Sequence, residues 1–401
     1  MPSSLTSLFW ISLVAVAAPM LAGLVPRKLV PEVVLLLALG VVVGPFGWEL
    51  AADDEAIGLL RELGLAMLFL LAGYEVELKE LTGRGGRRAL ATWLACLCLA
   101  FVVTLLLGVS DVIDSEIALA IALTSTALGT LLPMLKDNDL LKTPIGAAVM
   151  RHGAYGELGP IVAIAVLLGS RGPIASLVVL LAFAAIAVVL SLPPRRIRRE
   201  TSRLLRLIRL GSETTGQTTV RLTILLLVTL IVIATDFELD TVLAAFAAGF
   251  ILRLALPGGD DRLETKLDGI AFGLLIPVFF VTSGMAIDPR AIADNPVAFV
   301  VILIAILACR GAPVFLVTRF TSPAPEHRLN TRDSLSVGLF AATGLPIIVA
   351  VTSVSVSAGQ MTTENASLLV GAGAATVLLC PLLATLLLAR TRSPSHEPLQ
   401  G

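Results

Sequence analysis

The stretch GAYGELGP, residues 153–160, lies inside an apolar run that covers residues 143–170. Glu157 stands at the middle of this run. Because a helix rises about 1.5 Å per residue, a spanning helix would hold this carboxylate near the centre of the hydrocarbon layer, at a cost of about 2.5 kcal/mol or more. Gly156 thins the backbone beside it, and Pro160 removes one amide donor. The stretch therefore predicts a carboxylate that faces a cavity or a partner charge.

The composition of the whole chain predicts an all-α polytopic membrane protein. Of 401 residues, 56% are apolar and 15% are charged, against about 25% charged in soluble domains. The mean hydropathy is +0.94. About thirteen apolar runs have the length of ~20 residues that a helix needs to cross a bilayer. They cover residues 5–25, 30–50, 57–78, 89–109, 115–135, 143–170, 173–193, 219–235, 239–256, 267–287, 296–318, 333–357 and 365–389.

The loops between these runs alternate in charge, which predicts the topology. Loops on one side carry 23 Lys and Arg, whereas those on the other carry two. The positive-inside rule then places the N-terminus outside and the C-terminus in the cytoplasm of a cell (inner) membrane, with residues 391–401 as a short cytoplasmic tail. The densest loop, residues 195–209, contains seven Arg and predicts a basic helix on the membrane surface. Its partner is the lipid bilayer, and no nucleic acid is expected.

Two three-helix units, residues 89–170 and 296–389, look alike. The middle helix of each is interrupted by small and polar residues, at 124–130 in the first unit and at 341–346 in the second. By loop count the two units enter the membrane from opposite sides, which predicts an inverted repeat with two broken crossing helices. Such breaks beside an ionisable residue are typical of the substrate site of secondary transporters.

The charged and polar residues inside these units are the candidate site. Glu157 is the candidate ion-binding and proton-binding carboxylate; the alternative is a structural carboxylate paired to a base. Arg310 stays charged and must pair with an acid or with helix-end carbonyls, so it is the candidate for charge compensation. His152 is a possible proton relay or a polar residue near the cytoplasmic side. Hydroxyl ligands for a hard cation, or partners for nearby backbone, are Thr124, Ser125, Thr126 and Thr343.

Several stretches resemble the monovalent cation:proton antiporters, particularly their second branch. Residues 71–77 are similar to the end of that family's third helix, and residues 122–136 to its first broken helix. The most specific match is the stretch VFFVTSGMAID at residues 278–288, and residues 338–352 stand where the second broken helix lies. Arg310 matches a membrane-embedded Lys or Arg of the family.

The resemblance implies the fold, the activity and the assembly. Residues 1–390 would form a sodium/proton-exchanger-like membrane domain, with core units at about 89–170 and 296–389 and a scaffold at about 5–50 and 173–256. A homodimer is implied, with the core moving against the scaffold. Where the family usually has Asp-Asp, Asn-Asp or Gln-Asp, this chain has Gly156-Glu157. Glu157 fits the position of the ion-binding Asp.

The sequence thus predicts a secondary transporter that exchanges H+ for Na+ or K+. Burial favours the protonated form of Glu157, and Arg310 or a bound cation favours the ionised form. Because one carboxylate would change occupant, the exchange is expected to be electroneutral. One alternative is an organic-anion transporter of the same fold, in which Gly156 widens the site and Arg310 binds a carboxylate. Another is a non-transporting receptor or scaffold.

An enzyme, a cofactor and a resident metal are not expected. No His/Asp cluster and no nucleophile–base pair stand out in the sequence. The four cysteines lie inside apolar runs, so neither a disulfide nor a zinc site is predicted for Cys96, Cys98, Cys309 and Cys380.

Overall fold

A computed structural model describes the greater part of the chain, and every regular element in that part is a helix. The described residues are 3–24, 30–76, 83–108, 116–137, 139–168, 217–237, 239–256, 259–321 and 329–389. The predicted span at 173–193, the basic loop at 195–209 and the tail at 391–401 lie outside them. The all-helical class is confirmed for the described residues.

The helices, in chain order, are α1 (Ser4–Leu24), α2 (Glu32–Val43), α3 (Glu55–Glu75), α4 (Gly83–Gly108), α5 (Glu116–Leu123), α6 (Leu128–Asp137), α7 (Pro144–Ala163), α8 (Thr218–Asp236), α9 (Thr241–Ala255), α10 (Asp261–Ile270), α11 (Ile276–Met285), α12 (Pro289–Asp294), α13 (Pro296–Ile306), α14 (Ala312–Phe320), α15 (Thr331–Ala341), α16 (Leu345–Ser357) and α17 (Thr363–Ala389). Within the described residues, eight helical segments are long and apolar enough to cross a membrane. The chain is therefore a multi-pass membrane protein.

Two spans are interrupted where the sequence predicts breaks. The first interruption lies between α5 and α6, at residues 124–127, and the second between α15 and α16, at residues 342–344. Both are shorter than the sequence indicates. Leu128 already begins α6, and Pro346 lies in the first turn of α16, where a missing amide donor costs no helical bond.

Within the described residues, three π-turns occur next to prolines. One, Ile164–Leu168, follows Pro160, and the other two, Ala271–Leu275 and Leu307–Gly311, come directly before α11 and α14, each of which has a proline in its first turn. A proline inside a helix removes one backbone bond and crowds the carbonyl four residues earlier, which a locally wider turn relieves. Arg310 lies in the third of these turns.

The chain divides into two compact units. The first comprises residues 1–21, 35–78 and 161–286, and the second comprises residues 22–34, 79–160 and 287–401. In the first unit α3 packs against α9 and α11. In the second unit the two broken helices contact each other, and an apolar cluster forms around Leu135, Val149 and Phe340. The predicted site residues all belong to the second unit.

Glycines allow α3 and α9 to pack closely in the first unit, and this gives a stability prediction. A Cβ at Gly73 would overlap the main-chain oxygen of Phe246 on α9, whereas a Cβ at Gly269 on α10 would meet nothing within 4 Å. Gly73→Ala is therefore expected to lower the free energy of unfolding by about 1–3 kcal/mol. Gly269→Ala is the matched control, and its better helix propensity should keep stability equal or raise it by up to ~1 kcal/mol. Unfolding in mixed detergent micelles measures both. Equal stability of the two variants would contradict the contact.

Candidate functional site

Glu157 lies on α7 and is 3% exposed. The carbonyl of the preceding residue, Gly156, would accept a bond from the amide four residues later in a regular helix, but that residue is Pro160. The main-chain nitrogen of Thr126, in the first break, donates to this carbonyl at 2.8 Å. Pro160 thus opens the helix at one point, and the first break is held there, beside Glu157.

The first break binds to the second break and to Ala341 at the end of α15, and each acceptor is a main-chain carbonyl. The nitrogen of Ala127 donates to the carbonyl oxygen of Thr343 at 2.7 Å. The hydroxyl of Ser125 donates to the carbonyl oxygen of Gly344 at 3.3 Å, and the hydroxyl of Thr126 donates to that of Ala341. Polar backbone groups that the breaks release are satisfied in this way without lipid contact.

Arg310 is fully buried, and its guanidinium contacts three different elements. Its Nε donates to Thr126 Oγ1 at 2.9 Å, and its Nη2 donates to the carbonyl oxygen of His152 on α7 at 2.6 Å. Its Nη1 is 3.8 Å from the thiol sulfur of Cys96 on α4. The sequence predicts an acid or a helix-end carbonyl as partner, but the carbonyl that Arg310 reaches is in the middle of a helix.

Three glycines line one face of α7, and each leaves space for a large side chain. A Cβ at Gly153 would overlap Leu128, one at Gly159 would overlap the ring of Trp93, and one at Gly156 would overlap the Arg310 guanidinium and Thr126 Oγ1. The prediction that Gly156 widens the site is therefore wrong. The Arg310 guanidinium and the Thr126 side chain fill the space beside Gly156.

The predicted hydroxyl ligands lie at the crossing of the breaks, and all are buried. Besides Thr126, Thr124 donates to the carbonyl of Ile121 at 2.8 Å and Thr343 donates to that of Phe340 at 2.7 Å. The single proton of the Ser125 hydroxyl is shared between the carbonyl of Gly344 and that of Ala122, which is nearer at 2.7 Å. A hydroxyl that donates keeps acceptor capacity on its oxygen. The crossing therefore presents oxygen atoms of the kind that Na+ and K+ bind.

His152 is brought to Arg310, but through its main chain. Its carbonyl accepts from the guanidinium, whereas its imidazole Nδ1 is buried and has no hydrogen-bond partner among the described residues. The contact between His152 and Arg310 is therefore made by the main-chain carbonyl of His152 and not by its imidazole. Over the same part of the chain, no group of three His, Cys, Asp or Glu side chains has the geometry to hold a metal ion.

The sequence model of the sodium/hydrogen exchanger, transmembrane family matches residues 12–390. This chain belongs to that family. It is a family of transporters and not of enzymes, as the sequence predicts, and it falls within the monovalent cation:proton antiporter superfamily.

Individual proteins similar to this exchanger-family chain agree with the assignment. It is 23% identical to YjbQ of Bacillus subtilis (strain 168), provisionally named a Na+/H+ antiporter, over 98% of this chain and 65% of YjbQ. It is 26% identical to the glutathione-regulated potassium-efflux system protein KefC of Klebsiella pneumoniae (strain 342), over 76% of this chain and 49% of KefC. The chain thus spans about half to two thirds of the length of these relatives.

A solved structure shows the same fold. The sodium proton antiporter MjNhaP1 from Methanocaldococcus jannaschii, determined at pH 8, superposes with a TM-score of 0.62 at 15% identity. The match covers 95% of this chain and 96% of that one. The helical architecture of this exchanger-family member is therefore that of a known antiporter fold.

Sequence reasoning missed three features of the site in this family member. It gave Cys96 and Trp93 no role, although Cys96 contacts Arg310 and Trp93 fills the space at Gly159. It also missed the bond between Thr126 and Gly156. Two signals stand in the sequence: the three-residue spacing of the α7 glycines, and the proline four residues after Gly156. Neither says which side chains arrive from elsewhere in the chain.

Proposed function

We propose that this protein exchanges H+ for Na+ or K+ across the cell membrane, with Glu157 as the group that holds either a proton or the cation. The observation that carries the proposal is a carboxylate buried inside a membrane helix, at the point where the first broken helix is bonded to that helix. Membership of a family of sodium/hydrogen exchangers supports it.

The chemistry of the proposal is competition for one carboxylate. A protonated Glu157 is neutral and does not bind a cation, whereas an ionised Glu157 binds one together with oxygen atoms at the crossing. The hydroxyl groups proposed to supply these oxygen atoms are those of Thr124, Ser125, Thr126 and Thr343. Arg310 would offset the charge of the ionised form. Because one proton replaces one monovalent cation, the exchange is electroneutral.

Alternating access is proposed to use the two units as moving core and fixed scaffold. The core is proposed at about 89–170 and 296–389, and the scaffold at about 5–50 and 173–256. The division of the chain into two compact units supports this arrangement. The inverted repeat, thirteen helices, a homodimer and a cytoplasmic C-terminus complete the proposed architecture, and His152 is proposed as a proton relay.

An ion-flux measurement in proteoliposomes tests the proposal. Vesicles with an imposed pH gradient and a pH-sensitive dye inside should lose the gradient when Na+ or K+ is added outside, with Li+ as a third cation. Clamping the membrane potential at different values should leave the initial rate unchanged, because the exchange moves no net charge. A rate that changes steeply with potential would exclude one-for-one exchange.

The same vesicles distinguish the two alternatives. Loss of the gradient with organic acids, and not with alkali cations, would identify an organic-anion transporter in which Arg310 binds the carboxylate. Failure of every ion to change the gradient, for protein shown to be inserted and folded, would favour a receptor or scaffold. The contacts of Arg310 favour the cation, since its guanidinium is already bound on three sides.

A further inference from the structure

The space beside Gly156 is the starting point. A Cβ on this residue would overlap Arg310 Nη2 and Thr126 Oγ1 and would lie 2.7 Å from Thr126 Cβ. Two non-bonded carbon atoms need about 3.5 Å or more between them. Any side chain at position 156 therefore excludes the present position of the guanidinium. The position of Arg310 in this structure therefore requires glycine at residue 156.

The other sides of the guanidinium are fixed by hydrogen bonds. Thr126 of the first break holds Nε, the His152 carbonyl of α7 holds Nη2, and Cys96 of α4 lies at Nη1. Each group belongs to a different element, so the side chain cannot move without breaking contacts to all three. With Gly156 on the remaining side, the charge stands against the main chain one residue before Glu157.

We propose that Gly156 is a positioning residue: the space it leaves fixes the Arg310 guanidinium against the main chain of α7, one residue before Glu157, and thereby sets the pH at which Glu157 exchanges its proton. The inference rests on the proposed role of Glu157. A guanidinium stays charged at all relevant pH values, so its effect on the carboxylate is constant. A nearby positive charge favours the ionised carboxylate, which is the form that binds a cation.

Other charges near this network do not replace Arg310. Besides Glu157, the charged or titratable residues to weigh are His152 and Arg151 on α7, Cys96 on α4 and Cys309 in the same π-turn as Arg310. Neutral thiols supply no positive charge, the Arg151 side chain lies against Gly85 at the start of α4, and neither break carries a charged side chain. Displacing the guanidinium should therefore let Glu157 hold its proton to higher pH.

Carbodiimide labelling tests this without requiring transport. A hydrophobic carbodiimide reacts with protonated buried carboxyl groups, so the labelled fraction of Glu157, read by mass spectrometry in native membranes, falls as pH rises. Arg310→Ala should raise the pH of half-labelling by about 1 unit or more. Gly156→Ala should raise it by at least half of that shift. In the Arg310→Ala background, Gly156→Ala should add no further shift.

Two variants on the same helix face are matched controls. Gly153→Ala and Gly159→Ala insert the same methyl group against Leu128 and Trp93, without touching the guanidinium. Both should label with the wild-type midpoint, even if less protein accumulates. A midpoint in Gly156→Ala equal to wild type, an equal shift in either control, or a full shift of Gly156→Ala in the Arg310→Ala background would each overturn the inference.

The remaining outcomes also decide. If Gly156→Ala alone does not insert, the double variant should insert as well as Arg310→Ala does, because the vacated guanidinium space lets Thr126 move. A double variant that still fails to insert would overturn the inference. If Gly156→Ala shifts the labelling midpoint as expected but the wild-type protein moves no ion, only the proposed exchange is overturned. Wild-type exchange with a midpoint that ignores Gly156 would overturn only the positioning role.

Discussion

Glu157→Gln is expected to reduce proton–cation exchange to the rate of protein-free vesicles. The amide has nearly the shape of the carboxyl group, but it neither releases a proton near neutral pH nor offers a negative charge to a cation. Because Glu157 is 3% exposed, water cannot take over either task. Dye-monitored loss of a pH gradient in proteoliposomes is the measurement, with insertion checked by size-exclusion profile and helical content.

Two further substitutions show whether the loss is specific. Glu157→Asp keeps the charge on a side chain one methylene shorter and should retain part of the exchange. Glu75→Gln makes the same chemical change in the first unit, at the end of α3, and should retain nearly all of it. Full activity in Glu157→Gln, or equal loss in Glu75→Gln, would move the site away from Glu157.

Thr126→Val is expected to combine the largest loss of stability at the crossing with a loss of exchange. The hydroxyl accepts from Arg310 Nε at 2.9 Å and donates to the Ala341 carbonyl, so it joins the two breaks to the buried charge. Valine keeps the shape and removes both bonds. A hydrogen bond to a charged group is worth about 1.5–3 kcal/mol, and the free energy of unfolding should fall by about that amount or more.

The matched control is Thr376→Val on α17. Thr376 is equally buried and belongs to the same unit, but its hydroxyl donates only to the Gly373 carbonyl of its own helix, at 2.7 Å. This substitution should cost about 1 kcal/mol or less and should leave exchange near the wild-type rate. Unfolding in mixed micelles and flux in proteoliposomes are measured for both variants. Equal costs would show that the bonds of Thr126 to other elements add nothing.

The helical class and the positions of the two breaks could be predicted from the sequence because both follow from local chemistry. Inside a membrane, long apolar runs satisfy their backbone hydrogen bonds as helices. The first break contains three consecutive poor helix formers, Thr124 to Thr126, and the second contains Gly344. The ends of the breaks could not be predicted as well. Leu128 begins α6, and its side chain fills the space at Gly153, a contact that residue type does not reveal.

The partners of Arg310 could not be predicted, because they depend on packing between elements far apart in the chain. From sequence, its charge required an acid or a helix end. The structure instead uses a threonine 184 positions earlier and a carbonyl 158 positions earlier. The burial of Glu157 was predictable from its place in an apolar run. The thirteen helices and the inverted repeat remain predictions, as does the charge-compensating role of Arg310.

The π-turn at Leu307–Gly311 determines what the deletion of a residue from this part of the chain would do. In a regular helix one residue advances about 100° around the axis. A π-turn takes up one residue more than a regular turn, so deleting one residue from it would restore regular geometry and leave α14 nearly in line with α13. The residues inside the turn would shift around the axis by up to about that angle. Arg310 would then leave its three partners, although every nearby residue type was retained. Residue spacing in this turn is therefore as much a part of the site as the arginine itself, and an alignment with a gap here would equate the wrong residues.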